Sequence, residues 1–398
     1  MFGLLQGLKV IDLTTVALGP YATQILGDFG AGIIKIESKE GDILRAVRPG
    51  RRADIGVGFM NFNRNKRSVV IDLKRVEGQS VLHRLVRDAD VFVHNMRPRS
   101  AANLGVSADK LLEINPGLVY CYSPGFGGRG PDADAPAYDD IIQARSGLAS
   151  LNADDGGAPL FVRTIACDKI VGLHLAIAVM GGVIGRQRTG KGVVIEVPML
   201  ETMTTFLLAE HLAGQTLIPP EGGTGYERVM SRHRRPYKTR DGYLAILPYT
   251  TRHWVRFFLV CGLEDWAGMD MVLDPVLRSE HVDELYGKVA ELALTRTTDE
   301  WEGILVDQDI PCSRVSTLDD LFTDPHVVAA GIFHEASDDR LGRIRELRSP
   351  FEVDGCLGYE AAADRAAPGL GEHTAQVLAE AGYAADAIEA LKRDGVVA

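Results

Sequence analysis

The chain has 398 residues, of which 46% are apolar and 24% charged. This is a globular composition on a chain too long for one hydrophobic core, so we expect at least two domains. The formal net charge of −11 argues against a broad nucleic-acid-binding surface. The five cysteines are scattered and form no CxxC pair, a pattern that is typical of a reducing compartment.

We expect a cytoplasmic protein that makes no use of a membrane. No basic, signal-like segment precedes the first predicted strand. The longest apolar run, near residues 171–185, is shorter than the roughly 20 residues that span a bilayer.

The first half of the chain alternates short β-branched runs with helical stretches. Strands are predicted over 8–13, 32–37, 68–73, 90–94 and 118–122. Pro20 opens the first helix, which Gly30 ends, and a second helix is predicted over 77–88. This alternation predicts an α/β fold with a parallel, doubly wound sheet.

A glycine- and proline-rich linker at 218–225 separates this half from a segment with a different pattern of predicted strands and helices. A hairpin strand is predicted over 241–247, followed by helices over 252–261 and 282–294. We therefore predict three parts, which are a large α/β domain (1–217), a smaller α+β domain (226–330) and a C-terminal segment (331–398) that ends in a helix pair near 374–381 and 385–392.

Asp168 stands where an apolar helical run begins. It fits an ordinary helix N-cap, in which aspartate accepts hydrogen bonds from the first amides of the helix. It also fits a nucleophile, because a helix N-terminus stabilises an anion and keeps the carboxylate ionised. The pattern by itself does not choose between these two interpretations.

Other motifs exclude several chemistries. The glycine-rich stretch 123–131 lacks the GxGxxG spacing of a dinucleotide site, which disfavours a dehydrogenase. There is no P-loop, and no histidine pair has metal-binding spacing, so no metal is predicted. Arg97 and Arg99 follow a strand end, where open sheets bind ligands, and either could hold phosphate or be surface charge. Tyr138, taken alone, is interpreted as a packing residue.

Eight fragments in chain order resemble the class III CoA-transferases, the CaiB/BaiF superfamily that includes formyl-CoA and carnitine-CoA transferases. The fragments are residues 27–37 (GDFGAGIIKIE), 65–68 (NKRS) with 72–74 (DLK), 90–98 (DVFVHNMRP), 137–139 (AYD) with 143–147 (QARSG), 190–192 (GKG), 310–311 (IP), 324–326 (DPH) and 370–374 (LGEHT). The resemblance covers nearly the whole chain.

The resemblance implies an acyl-CoA:carboxylate CoA-transferase in which Asp168 is the nucleophile and forms anhydride and aspartyl-CoA thioester intermediates. Acyl-CoA and a free carboxylic acid are then the substrates, with no metal and no nucleotide energy source. The family fold implies a Rossmann-like large domain built from both chain ends, and an interlocked homodimer. The implied substrate loop and its acidic neighbour are Val16, Ala17, Leu18 and Asp139. The implied CoA-contacting residues are Ile71, Lys74, Asn95, Met96, Arg97, Tyr138 and Met199.

Departures from the family pattern bear on the substrate. Formyl-CoA transferases carry glutamine where Ala17 stands, and arginine where Ser38 and Asn103 stand. Formate and oxalate are therefore poor guesses, and we expect a medium-sized, partly apolar acid such as a succinyl or short branched-acyl group.

Two other functions remain open at this stage. An α-methylacyl-CoA racemase needs two acid/base groups, and relatives of that type carry histidine at the position of Asp134. No histidine occurs between His94 and His174, which disfavours this alternative. A non-catalytic acyl-CoA-binding protein would have no need of Asp168.

Overall fold

The computed structural model describes residues 2–357 and 366–398, and the chain divides into two compact units. The larger unit comprises Met1–Asn152, Pro159–Phe206 and Ala329–Ala398, so both ends of the chain belong to it. The smaller unit comprises Ala153–Ala158 and Leu207–Val328. It begins before the predicted residue 226 and includes a short segment from the first half. Within the predicted C-terminal segment, residues 358–365 lie outside the described residues.

The larger unit is built on a parallel sheet of six strands. These strands are β1 (Lys9–Leu13), β2 (Gly32–Glu37), β3 (Lys66–Val70), β4 (Val91–His94), β5 (Val119–Tyr122) and β6 (Val193–Glu196). Their spatial order is β3-β2-β1-β4-β5-β6, which confirms the α/β prediction and places the reversal of strand order between β1 and β4. Ligands of open α/β sheets bind at the carboxyl ends of the strands at such a reversal.

The predicted third strand, 68–73, is displaced toward the N-terminus in the structure. β3 begins at Lys66 and ends at Val70, and Ile71 forms an isolated antiparallel bridge with Val397 instead. A fully buried lysine at the start of a strand is unusual, so the apolar pattern missed it. Lys66 is accommodated because its ammonium group bonds to Asp12 in β1.

Helices from the first half of the chain flank the sheet in the larger unit. They are α1 (Leu18–Asp28), α2 (Val57–Asn63), α3 (Val76–Arg87), α4 (Pro98–Asn103), α5 (Ala108–Ile114), α6 (Asp139–Ser146), α7 (Leu148–Leu151), α8 (Ala166–Thr189) and the first part of α9 (Met199–His211).

The smaller unit packs helices around a three-stranded antiparallel sheet and a core rich in tryptophan and phenylalanine. Its elements are α10 (Glu227–Met230), β7 (Tyr237–Lys238), β8 (Tyr243–Ile246), α11 (Thr251–Val260), α12 (Glu264–Ala267), α13 (Asp270–Leu273), α14 (Pro275–Glu280), α15 (Val282–Ala293), α16 (Thr298–Asp307) and β9 (Cys312–Arg314). The C-terminal part of the chain then forms α17 (Pro325–Ala329), the hairpin β10 (Phe333–Asp338) and β11 (Gly342–Leu347), and the helices α18 (Thr374–Glu380) and α19 (Ala385–Arg393).

Helix α8 is the longest helix in the described part of the chain, and it packs on α1 at a glycine. A Cβ atom at Gly172 would lie 2.6 Å from the backbone oxygen of Leu18, so only glycine permits this approach. At 24 residues, α8 is longer than the predicted apolar run, and it is long and apolar enough to cross a membrane by length and composition. Half of its most apolar window is buried inside the protein. The approach at Gly172 places the first turn of α8 beside the loop that precedes α1.

Replacing Gly172 by alanine is expected to destabilise the protein by about 1–3 kcal/mol, because the added methyl group collides with the backbone of α1. Urea unfolding followed by circular dichroism measures the change. Gly303→Ala is the matched control, since nothing lies within 4 Å of a Cβ at that helical position in α16. We expect the control to be neutral or stabilising by up to about 1 kcal/mol. Equal effects of the two substitutions would contradict the close packing of α8 on α1.

Candidate active site

Three charged side chains are buried inside the sheet, beneath the loop that joins β1 to α1. Asp12, Lys35 and Lys66 belong to β1, β2 and β3. The Lys66 Nζ donates to Asp12 Oδ2 at 3.1 Å, and the Lys35 Nζ donates to the backbone oxygen of Thr14 at 2.8 Å. Lys35 also pairs with Asp42 at 3.1 Å. Burial lowers the pKa of Lys66 to about 8, and the attraction of Asp12 opposes this shift. The charges compensate one another and fix the base of the loop.

The loop itself holds a strained residue. Val16 has a φ of 68°, in the left-handed region that a β-branched residue rarely adopts. Asn95, at the end of β4, bonds to both backbone groups of Thr15, because its Oδ1 accepts from the amide at 2.9 Å and its Nδ2 donates to the oxygen at 2.8 Å. Asp42 Oδ1 accepts from the Val16 amide at 3.3 Å. Strain of this kind persists where neighbouring contacts determine the conformation, and it is frequent at functional sites.

Asp168 is the third residue of α8, and Ile165 occupies the N-cap position without a capping side chain. The N-cap interpretation of Asp168 is therefore wrong. The first turn is capped from α6 instead, because Asp139 Oδ1 accepts from the backbone amide of Asp168 at 3.0 Å. Gln143 holds the other carboxylate oxygen of Asp139 with a 2.6 Å hydrogen bond. The side chain of Asp168 is thus left without a capping role.

The carboxyl group of Asp168 is 7% exposed and has two acidic neighbours. Burial raises its pKa to about 7, and the negative charges of Asp139 and Asp140 add to the rise. No ion pair to Asp168 is found among residues 2–357 and 366–398. The helix N-terminus was expected to keep this carboxylate ionised. Burial and acidic neighbours instead leave it half protonated near neutral pH.

A cavity of about 260 Å³ opens in front of Asp168. Its lining contains eight of the residues that the sequence singled out, which are Val16, Leu18, Asn95, Met96, Arg97, Tyr138, Asp168 and Met199. It also contains residues that sequence reasoning missed, which are Thr15, Ser100, Ser123, Gly125, Ala135, Pro136 and Ala137. Most of the missed residues are small or carry only a hydroxyl group, and although Ser123, Gly125 and Ala137 lie in segments that the sequence analysis noted, no role was predicted for them.

Four of the predicted site residues do not line this cavity, and two of them, Ala17 and Asp139, are adjacent in sequence to residues that do. Ala17 is buried in the loop, and Asp139 lies behind the backbone of Asp168. Tyr138 lines the cavity and is 67% exposed, so its interpretation as a packing residue is wrong. Arg97 lies at the same cavity and donates from Nη1 to the backbone oxygen of Asp134 at 2.9 Å.

A second cavity, of about 240 Å³, lies at the carboxyl ends of β1, β2 and β3 and shares Thr15 and Met96 with the first. Ile71 and Lys74, two of the predicted CoA contacts, line it together with Lys39. The predicted CoA residues are therefore divided between two adjoining cavities.

Residues 5–374 match the model of CoA-transferase family III. The chain belongs to CoA-transferase family III. The match confirms the resemblance drawn from the sequence and the assignment of the chain as an enzyme of this family.

Relatives of this family III chain include several named transferases. An acyl-CoA transferase of Fusarium pseudograminearum is 30% identical over 99% of this chain and 88% of its own length. A succinate–glutarate CoA-transferase of Agrobacterium fabrum is 31% identical over 94% of this chain and 95% of its own. A formyl-CoA:oxalate CoA-transferase of Escherichia coli O157:H7 is 28% identical over 99% of each chain.

Solved structures agree in fold with this family III chain. A CaiB/BaiF family protein from Brucella suis is 28% identical, with a TM-score of 0.75 over 95% of this chain and 99% of its own. A hypothetical protein from Mycobacterium tuberculosis is 25% identical, with a TM-score of 0.80 over 94% of this chain and 98% of its own.

The raised pKa of Asp168 makes the stability of the protein depend on pH. Because the folded state binds this proton more tightly than the unfolded chain, stability is lost as pH rises from about 4 to about 7. Asp168→Asn has no such charge and is expected to exceed the native protein in unfolding free energy at pH 8, by at most about 4 kcal/mol.

Urea unfolding at pH 4 and pH 8 tests this, and the difference between the two proteins should disappear at pH 4. Asp88→Asn, at an exposed position in the same unit, serves as the control and should show no such dependence. A variant that gains no stability at pH 8 would contradict the uncompensated burial of Asp168.

Proposed function

We propose that this enzyme transfers coenzyme A between carboxylic acids through covalent intermediates on Asp168. The observation that supports this most is a buried carboxyl group with no cation partner in the described part of the chain, at the lining of a cavity beside the strained loop. A structural carboxylate in such a place would be paired or would cap a helix. An unpaired one is suited to attack a carbonyl carbon.

In the proposed reaction, an Oδ of Asp168 attacks the thioester carbonyl of the donor acyl-CoA. The C–S bond breaks, which gives an acyl-aspartyl anhydride and the CoA thiolate. The thiolate then attacks the aspartyl carbonyl, so that an aspartyl-CoA thioester forms and the donor acid leaves as its carboxylate. The acceptor carboxylate attacks the carbonyl of this thioester, the C–S bond breaks, and a second anhydride forms with release of the CoA thiolate. Finally the thiolate attacks the acceptor's acyl carbon and restores the Asp168 carboxylate.

The two adjoining cavities suggest how CoA is held. We propose that its reactive end enters the cavity of Asp168 and that its other end lies in the cavity lined by Ile71 and Lys74. Met96 and Thr15 line both and would contact the chain between the two ends. The phosphates would pair with Lys39 and Lys74, the two cations in the described lining of the second cavity, which also carries the acidic Glu37, Glu40, Asp42 and Asp72.

The acid that accepts CoA is proposed to be medium-sized and partly apolar, such as succinate or a related dicarboxylate. The loop around Ala17 presents apolar side chains, with Val16 and Leu18 in the cavity lining. The relative of Agrobacterium fabrum, named for succinate and glutarate, supports this class of substrate.

Racemase chemistry is the alternative, and it would need a second acid/base group at the cavity. His94 cannot serve, because it is buried and both ring nitrogens are engaged. Its Nδ1 accepts from the Met96 amide at 3.1 Å, and its Nε2 lies 2.7 Å from the Tyr120 hydroxyl. Burial lowers the pKa of His94 to about 3. Asp168 is the one acidic or histidine side chain in the described lining of its cavity.

Transfer activity distinguishes these functions. We expect succinyl-CoA and glutarate to give glutaryl-CoA with the native enzyme, and Asp168→Asn to lose at least about 10³-fold in kcat because the nucleophile is gone. Liquid chromatography of the CoA esters measures both. Asp88→Asn should retain full activity. Two results together would favour the racemase over the transferase. These are the absence of CoA exchange with every pair of thioester and acid, and the entry of solvent deuterium at the α-position of a 2-methylacyl-CoA.

The negative charge of Asp139 is expected to raise the pKa of the nucleophile, Asp168. Asp139→Asn removes a negative charge beside Asp168 but keeps an oxygen that can accept the Asp168 amide. The pKa of Asp168 should fall by about one unit, and the acidic limb of the kcat/KM profile should move down by the same amount. A full pH profile of both enzymes checks this. An unchanged limb in a folded, active variant would contradict the electrostatic role of Asp139.

A homodimer is proposed from the outer face of α8. Leu173, Ile177 and Ile184 recur at helical spacing and are exposed, with Ile177 at 61%. A stripe of this kind on a helix whose other face is buried is suited to a second copy of the chain. We expect Ile177→Glu to convert a dimer into a monomer in sedimentation velocity, and Val76→Glu, at an exposed apolar position elsewhere, to leave the dimer intact. A native monomer at micromolar concentration would contradict the proposal.

A further inference from the structure

The smaller unit holds a cavity of about 380 Å³ whose lining shares no residue with the Asp168 cavity. Aromatic side chains form much of its wall. Trp254 and Tyr286 are buried and stacked, with ring centroids 6.0 Å apart, and Tyr249 stands at the more exposed side. A cavity of this size lies at the lower end of the range for small-molecule sites, which is about 300–1,000 Å³.

Arg278 lines this cavity and is 8% exposed. One guanidinium nitrogen, Nη2, donates to Thr251 Oγ1 at 2.7 Å, but the buried Nε has no hydrogen-bond partner. No ion pair to Arg278 is found in the described ranges, and the carboxylate of nearby Asp274 accepts from the amides of Val276 and Leu277. Asp274 attracts the Arg278 charge without forming an ion pair with it, and a buried cation that lacks a direct partner favours the binding of an anion here.

Arg228 brings a second positive charge to the same cavity. Its guanidinium lies 5.1 Å from the centroid of the Tyr249 ring, and its buried Nε likewise has no hydrogen-bond partner. The first turn of α11, which begins at Thr251, also lines the cavity and adds the positive end of a helix dipole. An adjoining cavity shares Arg228 and Tyr286 and adds Arg234. These charges all favour an anion.

We propose that this cavity is a second ligand site, which binds a carboxylate that carries an apolar or aromatic body. The carboxylate would pair with the guanidinium groups of Arg278 and Arg228, which both line the cavity, because a planar guanidinium matches a carboxylate in two parallel hydrogen bonds. The body would pack against Trp254 and Tyr286. The aromatic wall distinguishes this ligand from a small hydrated anion such as inorganic phosphate, which cannot use it. The site does not depend on the proposed transfer reaction.

Titration of 4-fluorobenzoate with the full-length protein, followed by fluorine NMR, tests this site. We expect a Kd on the order of 1 mM for so small a ligand. Arg278→Gln and Arg228→Gln should each weaken binding at least 10-fold. Arg252→Gln, which alters an exposed arginine paired with Asp309 in the same unit, should change it less than 2-fold. Asp168→Asn should leave the Kd unchanged, which shows that the probe does not report the other cavity.

Thermal unfolding of each variant is measured in parallel. If Arg278→Gln does not fold, binding is measured with Arg278→Lys and Arg228→Gln instead. Each should weaken binding, because neither lysine nor glutamine can form the two parallel hydrogen bonds that a guanidinium makes with a carboxylate. The proposal is overturned if 4-fluorobenzoate does not bind at 10 mM, if all arginine variants bind equally, or if inorganic phosphate binds as tightly and competes with the probe.

Discussion

The carboxyl group of Asp168 is buried without a compensating cation in the described structure, and the larger unit is arranged around this costly group. Its position depends on two backbone contacts. Helix α8 approaches α1 at Gly172, where no side chain fits, and Asp139 caps the first turn of α8 through the amide of Asp168. Both contacts fix the backbone and leave the Asp168 side chain unengaged. The raised pKa, and the reactivity that we propose, follow from that arrangement.

The same sheet also buries charges that are fully compensated, and the contrast is informative. Asp12 and Asp42 neutralise Lys66 and Lys35, and this network holds the loop that contains Val16 in a strained conformation. A paired buried network stabilises a local geometry, whereas an unpaired buried group is available for chemistry. The larger unit therefore uses buried charge in two ways, within a few residues of the point where the strand order reverses.

Much of the fold could be predicted from the sequence because parallel strands buried on both faces appear in it as short, continuous runs of apolar residues. β2 and β4 were located within a residue, and the helices α11 and α15 were placed within one residue at each end. β3 was misplaced because Lys66 interrupts the apolar pattern, and its acceptability depends on Asp12, more than 50 residues away. A local pattern cannot show a compensation that only tertiary structure creates.

The candidate site was predictable in part for the same reason. Asp168 was selected through family resemblance, since its sequence neighbourhood fits an N-cap equally well. Its environment was misjudged, because the helix N-terminus is visible in the sequence while the approach of Asp139 is not. The two arginines of the smaller unit whose Nε atoms lack a partner were not indicated by the sequence either. Lone arginines in a sequence are ordinarily surface charge, and only the folded structure shows Arg278 to be buried and unpaired.

The most direct test of this account is whether Asp168 carries coenzyme A. Intact-protein mass spectrometry after incubation with succinyl-CoA, followed by peptide mapping, should show a CoA-sized adduct on Asp168. Hydroxylamine should remove it, and Asp168→Asn should not form it. Transfer of CoA without any adduct on this residue, or an adduct that persists in Asp168→Asn, would contradict the central role of the buried carboxyl group.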